Sequence, residues 1–192
     1  MAKKNTTGIK TLDMVYMALF AIVLTVCSWI AIPAAVPFSL QTFGVFLKVG
    51  VLGGKRGTFA IVIYLLLGIM GVPVFTGFRG GIGVLYGATG GYIVGFLLAA
   101  LSMWALEAMT ATLTFGRKWL PVVSMGIGLS ICYIFGTIWF MVFFAGNRGE
   151  VGVWTALTWC VFPFVIPDII KIAAALSVRR KLIKILKCSK LT

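Results

Sequence analysis

Six apolar blocks run along the sequence, over residues 12–32, 38–52, 58–71, 82–115, 121–145 and 154–178. A membrane-spanning helix takes about 20 apolar residues, so the pattern predicts six transmembrane helices joined by short connections. The second and third blocks are short for full spans: they are either tilted or line a cavity with part of their length. The fourth is long enough to project beyond a bilayer. The first is too long for a cleavable signal peptide and lacks an A-x-A site, so it reads as a span. The chain reads as one integral membrane domain over 1–192, with a short basic tail from about residue 179.

Composition strengthens this reading. Of 192 residues, 61% are hydrophobic and only 11% charged, where a soluble domain carries charge on roughly a quarter of its positions. The net charge of +13 would suggest nucleic acid in a soluble protein, but the mean hydropathy of +1.10 does not. The basic residues are distributed as a topology signal instead. Lys3, Lys4 and Lys10 precede the first span, Lys55 and Arg56 separate the second and third, and Arg117 and Lys118 separate the fourth and fifth. Arg179, Arg180, Lys181, Lys184, Lys187 and Lys190 follow the sixth. The other set of loops carries only Arg79 and Arg148. The positive-inside rule therefore predicts both termini in the cytoplasm. The basic tail suits this topogenic role, or binding to acidic lipid. Trp29, Trp154 and Trp119 fall at predicted membrane boundaries.

The same counts exclude much chemistry. With no histidine there is no Ser-His-Asp triad and no imidazole base or metal ligand. Asp13, Glu107, Glu150 and Asp168 are scattered, and Glu107 is assigned no catalytic role. Cys27, Cys132, Cys160 and Cys188 lack CxxC spacing and read as packing residues. Residues 49–56, VGVLGGKR, fail the phosphate-loop pattern: Val49 stands where the first glycine is required and Arg56 where Ser or Thr is required. Residues 81–86, GIGVLY, end in Tyr86 rather than the last glycine of a dinucleotide fingerprint. No enzyme, cofactor or metal site is expected.

Small residues recur every fourth position at Gly83, Gly87, Gly91, Gly95 and Ala99, and again at Ser124, Gly128, Cys132 and Gly136. Each set falls on one helix face and predicts close helix packing. Gly90 and Gly91 also offer backbone that a ligand could approach.

Asp168 and Lys171 lie within the sixth span, three residues apart and so on one face. A charge at the bilayer centre costs about 2.5–3.5 kcal/mol on insertion scales, so such residues neutralise one another or face a functional cavity. Pro163 and Pro167 precede Asp168. Pro167 is expected to kink or break the helix there, placing Asp168 near the positive end of a half-helix, an arrangement known from transporters. Two connections on the predicted outer side, 33–42 and 72–82, carry Gln41 and Thr42, and Phe75, Thr76 and Arg79. Polar groups set among rings suit a small amphipathic ligand, and Arg79 offers a carboxylate fork or an interfacial anchor.

These motifs, VPFSLQTFGVFL at 36–47, LGIMGVPVFTGFRGGIGVLYGATGGYIVGF at 67–96 and PFVIPDIIKIAAAL at 163–176, resemble those of the BioY family, the biotin-specific S components of energy-coupling-factor transporters. The resemblance extends over nearly the whole chain. It implies a bacterial multi-pass membrane protein that captures biotin from outside, with energy supplied by a transmembrane coupling subunit and two cytoplasmic ATPase subunits. It further implies a division of labour in the pocket. Asp168 would accept from the ureido N–H groups and Lys171 would donate to the ureido carbonyl. Gln41 would add a neutral contact, and Arg79 would meet the carboxylate tail. Phe43, Phe75 and Tyr92 would pack the apolar body, and Gly90 and Gly91 would supply backbone donors. S components commonly dock through an A-x-x-x-A face on helix one; here Ala18 is followed four residues later by Ile22, with Ala21 as a nearby small residue. The alternative class is a secondary carrier using Asp168 as a proton-coupling carboxylate.

Overall fold

A computed structural model describes residues 11–32, 38–110, 119–147 and 152–188. These residues are almost entirely helical: α1 Thr11–Trp29, α2 Gln41–Leu52, α3 Gly54–Ile69, α4 Gly90–Met109, α5 Leu120–Asn147, α6 Val153–Cys160 and α7 Phe162–Cys188. Two short strands, β1 Ala31–Ile32 and β2 Phe38–Ser39, pair antiparallel in the first connection, with Ala31 opposite Ser39. Four helical stretches are long and apolar enough to cross a membrane: Thr11–Trp29, Gly90–Met109, Leu120–Gly146 and Val153–Lys184. α1 illustrates the packing. Met17, Ala21, Leu24, Cys27 and Ser28 face the core, while Met14, Val15, Leu19, Ile22, Val23 and Val26 are exposed. A helix that is apolar on its exposed face as well as its buried one belongs in lipid.

α2 has 12 residues and α3 has 16. At 1.5 Å per residue they reach about 18 and 24 Å, short of a hydrocarbon core of about 30 Å. Of the two readings of these short blocks, the second describes α2, whose first turn forms part of a cavity wall. The helices meet at Gly53, whose φ of +80° lies in the region that favours glycine. Opposite charges hold this turn. Glu107 on α4 accepts the Gly54 N–H at the positive end of α3, and Arg179 Nε on α7 donates to the Gly50 carbonyl, 2.6 Å away, near the negative end of α2. Arg56 in the first turn of α3 pairs with Asp13 on α1 at 3.2 Å.

The expected fourth span differs at its start. Residues 82–89 form a 3-10 turn at Ile82–Val84 and further turns, and the helix begins only at Gly90; residues 111–115 of that expected span lie outside the described residues. Gly83 and Gly87 therefore precede the helix. Gly91, Gly95 and Ala99 do line one face of α4 against α5. A Cβ at Gly91 would strike Trp139, one at Gly95 would crowd Cys132, and one at Gly136 would strike the Tyr92 ring. These small residues let the two backbones approach closely.

Of the kink or break expected at Pro167, the break is corrected. The interruption falls at Val161 (φ −124°, ψ −59°), between α6 and α7. Pro163 is the second residue of α7, where a missing N–H leaves no intrahelical bond unmade, whereas Pro167 is accommodated inside the helix. Asp168 thus lies well inside α7 and not at its positive end. α7 also continues unbroken through the basic residues from Arg179 onward to Cys188. Cys27, Cys132 and Cys160 are buried free thiols.

Candidate ligand-binding site

A cavity of about 550 Å³ lies where α1, α2, α4, α5, α6 and α7 meet the α3–α4 connection. That volume falls in the usual range of small-molecule sites, roughly 300–1,000 Å³. At its polar end Asp168 is only 2% exposed and accepts from three sources. Lys171 Nζ at 2.7 Å and Thr42 Oγ1 at 2.9 Å donate to Oδ1, and the Tyr133 hydroxyl at 2.5 Å donates to Oδ2. A carboxylate has about four lone-pair positions, so this leaves room for a further donor.

Lys171 is equally engaged. Its ammonium donates to Asp168, to the Ser39 carbonyl at 2.7 Å and to Thr42 Oγ1 at 3.1 Å, and lies 4.0 Å from the Phe38 ring centroid. Its three N–H groups therefore match three acceptors, and it donates to a ligand only by exchanging one of them. Spacing places the pair on one face of α7. The β1–β2 pairing and the start of α2 then bring Ser39 and Thr42 against it.

Gln41 sits beside this cluster, buried. Its Oε1 accepts from Ser39 Oγ at 2.9 Å and Thr76 Oγ1 at 3.0 Å, and its Nε2 donates to the Tyr64 hydroxyl at 2.9 Å. One N–H of the amide has no partner among the described residues. Phe75 is fully buried on the wall, its ring over Gly68 and edge-on to Tyr64 at 5.6 Å. Tyr92 lines the cavity from α4, with its hydroxyl 3.1 Å from Thr137 Oγ1. Arg79 lines the mouth with an exposed side chain. The ionised groups Asp168, Lys171 and Arg79 sum to one positive charge, which suits a monoanionic ligand.

Six of the expected ligand residues thus share one cavity: Gln41, Phe75, Arg79, Tyr92, Asp168 and Lys171. Three do not. Phe43 packs half-buried against the core, away from the wall. Gly90 and Gly91 are packing positions: the Gly90 N–H donates to the Gly87 carbonyl, and added Cβ atoms would collide with the Leu85 backbone and with Trp139. Among the expected docking residues, Ala18 and Ile22 lie on the exposed face of α1, but Ala21 is turned into the core at 3% exposure, because it follows Met17 and precedes Leu24 on the buried stripe. Thr42 and Thr76, noted in the outer connections but given no contact with the ligand, join the wall, as do Ser39, Tyr133 and Phe164, which were not singled out. The contacts of Tyr133 and Thr42 with Asp168 span 35 and 126 residues of sequence, and no local pattern encodes such distances.

Lys48 was also not singled out. It is fully buried in α2, and its Nζ has no hydrogen-bond partner among the described residues. A second cavity of about 360 Å³, at the other end of α2, is bordered by Gly50, Gly53, Glu107, Ser124 and Arg179.

Comparison with known proteins agrees with this architecture. The profile of the BioY family matches residues 1–188. The biotin transporter BioY of Thermotoga maritima is 37% identical over 90% of this chain and 96% of its own length. A probable biotin transporter BioY of Pyrococcus horikoshii is 35% identical over 90% and 97%. The crystal structure of the S component for biotin from an ECF-type ABC transporter superposes with a TM-score of 0.78 at 24% identity, covering 92% of this chain and 95% of that one; it shares the fold. This multi-pass membrane protein therefore belongs to the BioY family.

Proposed function

We propose that the protein is the biotin-capturing subunit of an energy-coupling-factor importer in a bacterial cell membrane. The observation that carries this reading is the buried Asp168–Lys171–Thr42–Tyr133 cluster at the end of a cavity with an exposed guanidinium at its mouth. Biotin matches that polarity along its length. Its ureido N–H groups meet Asp168, and its ureido carbonyl takes a hydrogen bond released by Lys171. Its bicycle lies among Phe75, Tyr92 and Phe164, and its carboxylate reaches Arg79. The residues bind and orient; no bond is made or broken, and the relatives named above are transporters, not enzymes.

Six membrane crossings with both termini in the cytoplasm follow from the distribution of basic residues, with α2 and α3 as the two short crossings and α6–α7 as one interrupted crossing. The cavity then opens outward. A transmembrane coupling subunit and two cytoplasmic ATPases complete the importer, and the exposed stripe of α1 around Ala18 and Ile22 is the docking face. Transport in proteoliposomes tests this reading. Sustained biotin uptake should require the coupling subunit, the ATPases and ATP. Uptake driven by a proton gradient without them would identify a secondary carrier instead.

A further inference from the structure

The connection 72–81 forms part of the cavity wall, and its two ends are firmly fixed. The Val74 carbonyl accepts from both Ser28 Oγ at 2.6 Å and the Tyr64 hydroxyl at 3.0 Å. The Gly81 N–H donates to the Gly68 carbonyl at 2.7 Å. Between these ends the tip is different in kind. Gly77 has φ +74° and Phe78 has φ +58°, and Phe78 is the one non-glycine residue with positive φ among the described residues. A bulky side chain in that region is strained and persists only where its surroundings hold it. The Phe78 side chain is 64% exposed and is not on the cavity wall. The turn itself is closed by the Phe75 N–H to the Arg79 carbonyl at 2.9 Å and the Arg79 N–H to the Phe75 carbonyl at 3.3 Å, and the Phe78 ring is held by the Trp29 ring at the end of α1, stacked at 4.8 Å and 28°. Trp29 is itself fixed by a hydrogen bond from Nε1 to the Pro73 carbonyl at 2.9 Å.

Opening the tip would break this ring stack and the hydrogen bond from Thr76 Oγ1 to Gln41 Oε1 at 3.0 Å, and would relieve one strained residue, so the effects oppose one another. Closing it brings Gly77 and Arg79 onto the cavity mouth. We infer that the Trp29–Phe78 stack is a latch on the 76–79 tip that sets the rates at which ligand enters and leaves the cavity. This rests on the reading of the cavity as the biotin site, and it makes Phe78 a positioning residue that acts without touching ligand.

A latch has a kinetic signature that a binding contact lacks. Weakening the closed state equally with and without ligand speeds association and dissociation by the same factor and leaves Kd unchanged. Losing a direct contact raises the dissociation rate alone. Association and dissociation of radiolabelled biotin would be measured on the purified full chain in lipid nanodiscs. Phe78→Ala should raise both rate constants by about five- to tenfold with Kd within about twofold of the parent, and Phe78→Tyr, which retains the stacking face, should keep the parent rates. Phe78→Leu, which keeps an apolar side chain but no ring, carries the same expectation as Phe78→Ala should that variant fail to fold. Unchanged rates, or faster dissociation with a proportional rise in Kd, would overturn the latch. A parent protein that retains no biotin would refute the ligand assignment instead, so the two failures are distinguishable.

Discussion

Replacing Asp168 by Asn changes few atoms but reverses part of the chemistry of the site. Three donors converge on the carboxylate, from Lys171, Thr42 and Tyr133. An amide offers one acceptor oxygen and points an NH2 group at the remaining donors. Lys171 also loses its counter-charge in a position that is 6% exposed. Removing one partner of a buried ion pair costs about 3–5 kcal/mol. Lys171 keeps the Ser39 carbonyl and Thr42 as acceptors, so the lower part of that range is expected for folding. Binding suffers separately. A ligand donor left facing an amide N–H loses a hydrogen bond and leaves a buried group unsatisfied, at about 1–3 kcal/mol. Since 1.4 kcal/mol is a factor of ten, biotin affinity should fall at least about tenfold. Thermal unfolding in detergent reads the first effect and equilibrium binding of labelled biotin the second. The double variant Asp168→Asn/Lys171→Met separates them: it removes the unpaired charge, so stability should recover while affinity does not. Folded Asp168→Asn protein with the parent affinity would refute the role of Asp168.

Lys48→Met should raise the unfolding midpoint, because it removes a buried amine without a partner, a gain of about 1–3 kcal/mol; an unchanged or lower midpoint would show that the amine is satisfied. Arg79→Ala should weaken biotin more than biotin amidated at its tail, and equal losses for both ligands would reject a carboxylate contact. In a background free of the native cysteines, Thr76→Cys in intact cells should react with a membrane-impermeant thiol reagent and Ser189→Cys should not; equal labelling would overturn cytoplasmic termini.

Much of this arrangement was legible in the sequence because it depends on local spacing. The Asp168–Lys171 pair follows from a separation of three on a helix. The close approach of α4 and α5 follows from Gly95 facing Cys132 and Ala99 facing Gly128, with Gly91 and Gly136 making room for Trp139 and Tyr92. Other features depend on where an element begins. Gly83 and Gly87 continue the four-residue period but precede α4, since small residues recur as readily in turns as in helices. Pro167 sits within α7 while the chain breaks at Val161, and a proline count alone does not distinguish these outcomes. Thr42 and Tyr133 reach Asp168 only through the tertiary packing of α2 and α5 on α7. Ala21 shows the same limit at the other face: it offered a small residue near Ala18, off the four-residue spacing, and the buried stripe of α1 claims it.

The most direct test of the account is calorimetric titration of the purified, biotin-depleted full chain with biotin, in the absence of nucleotide and of any other subunit. The account predicts saturable binding at one biotin per chain, lost or strongly weakened in folded Asp168→Asn protein. No saturable heat with the parent protein, or binding that appears only when ATP is added, would contradict it.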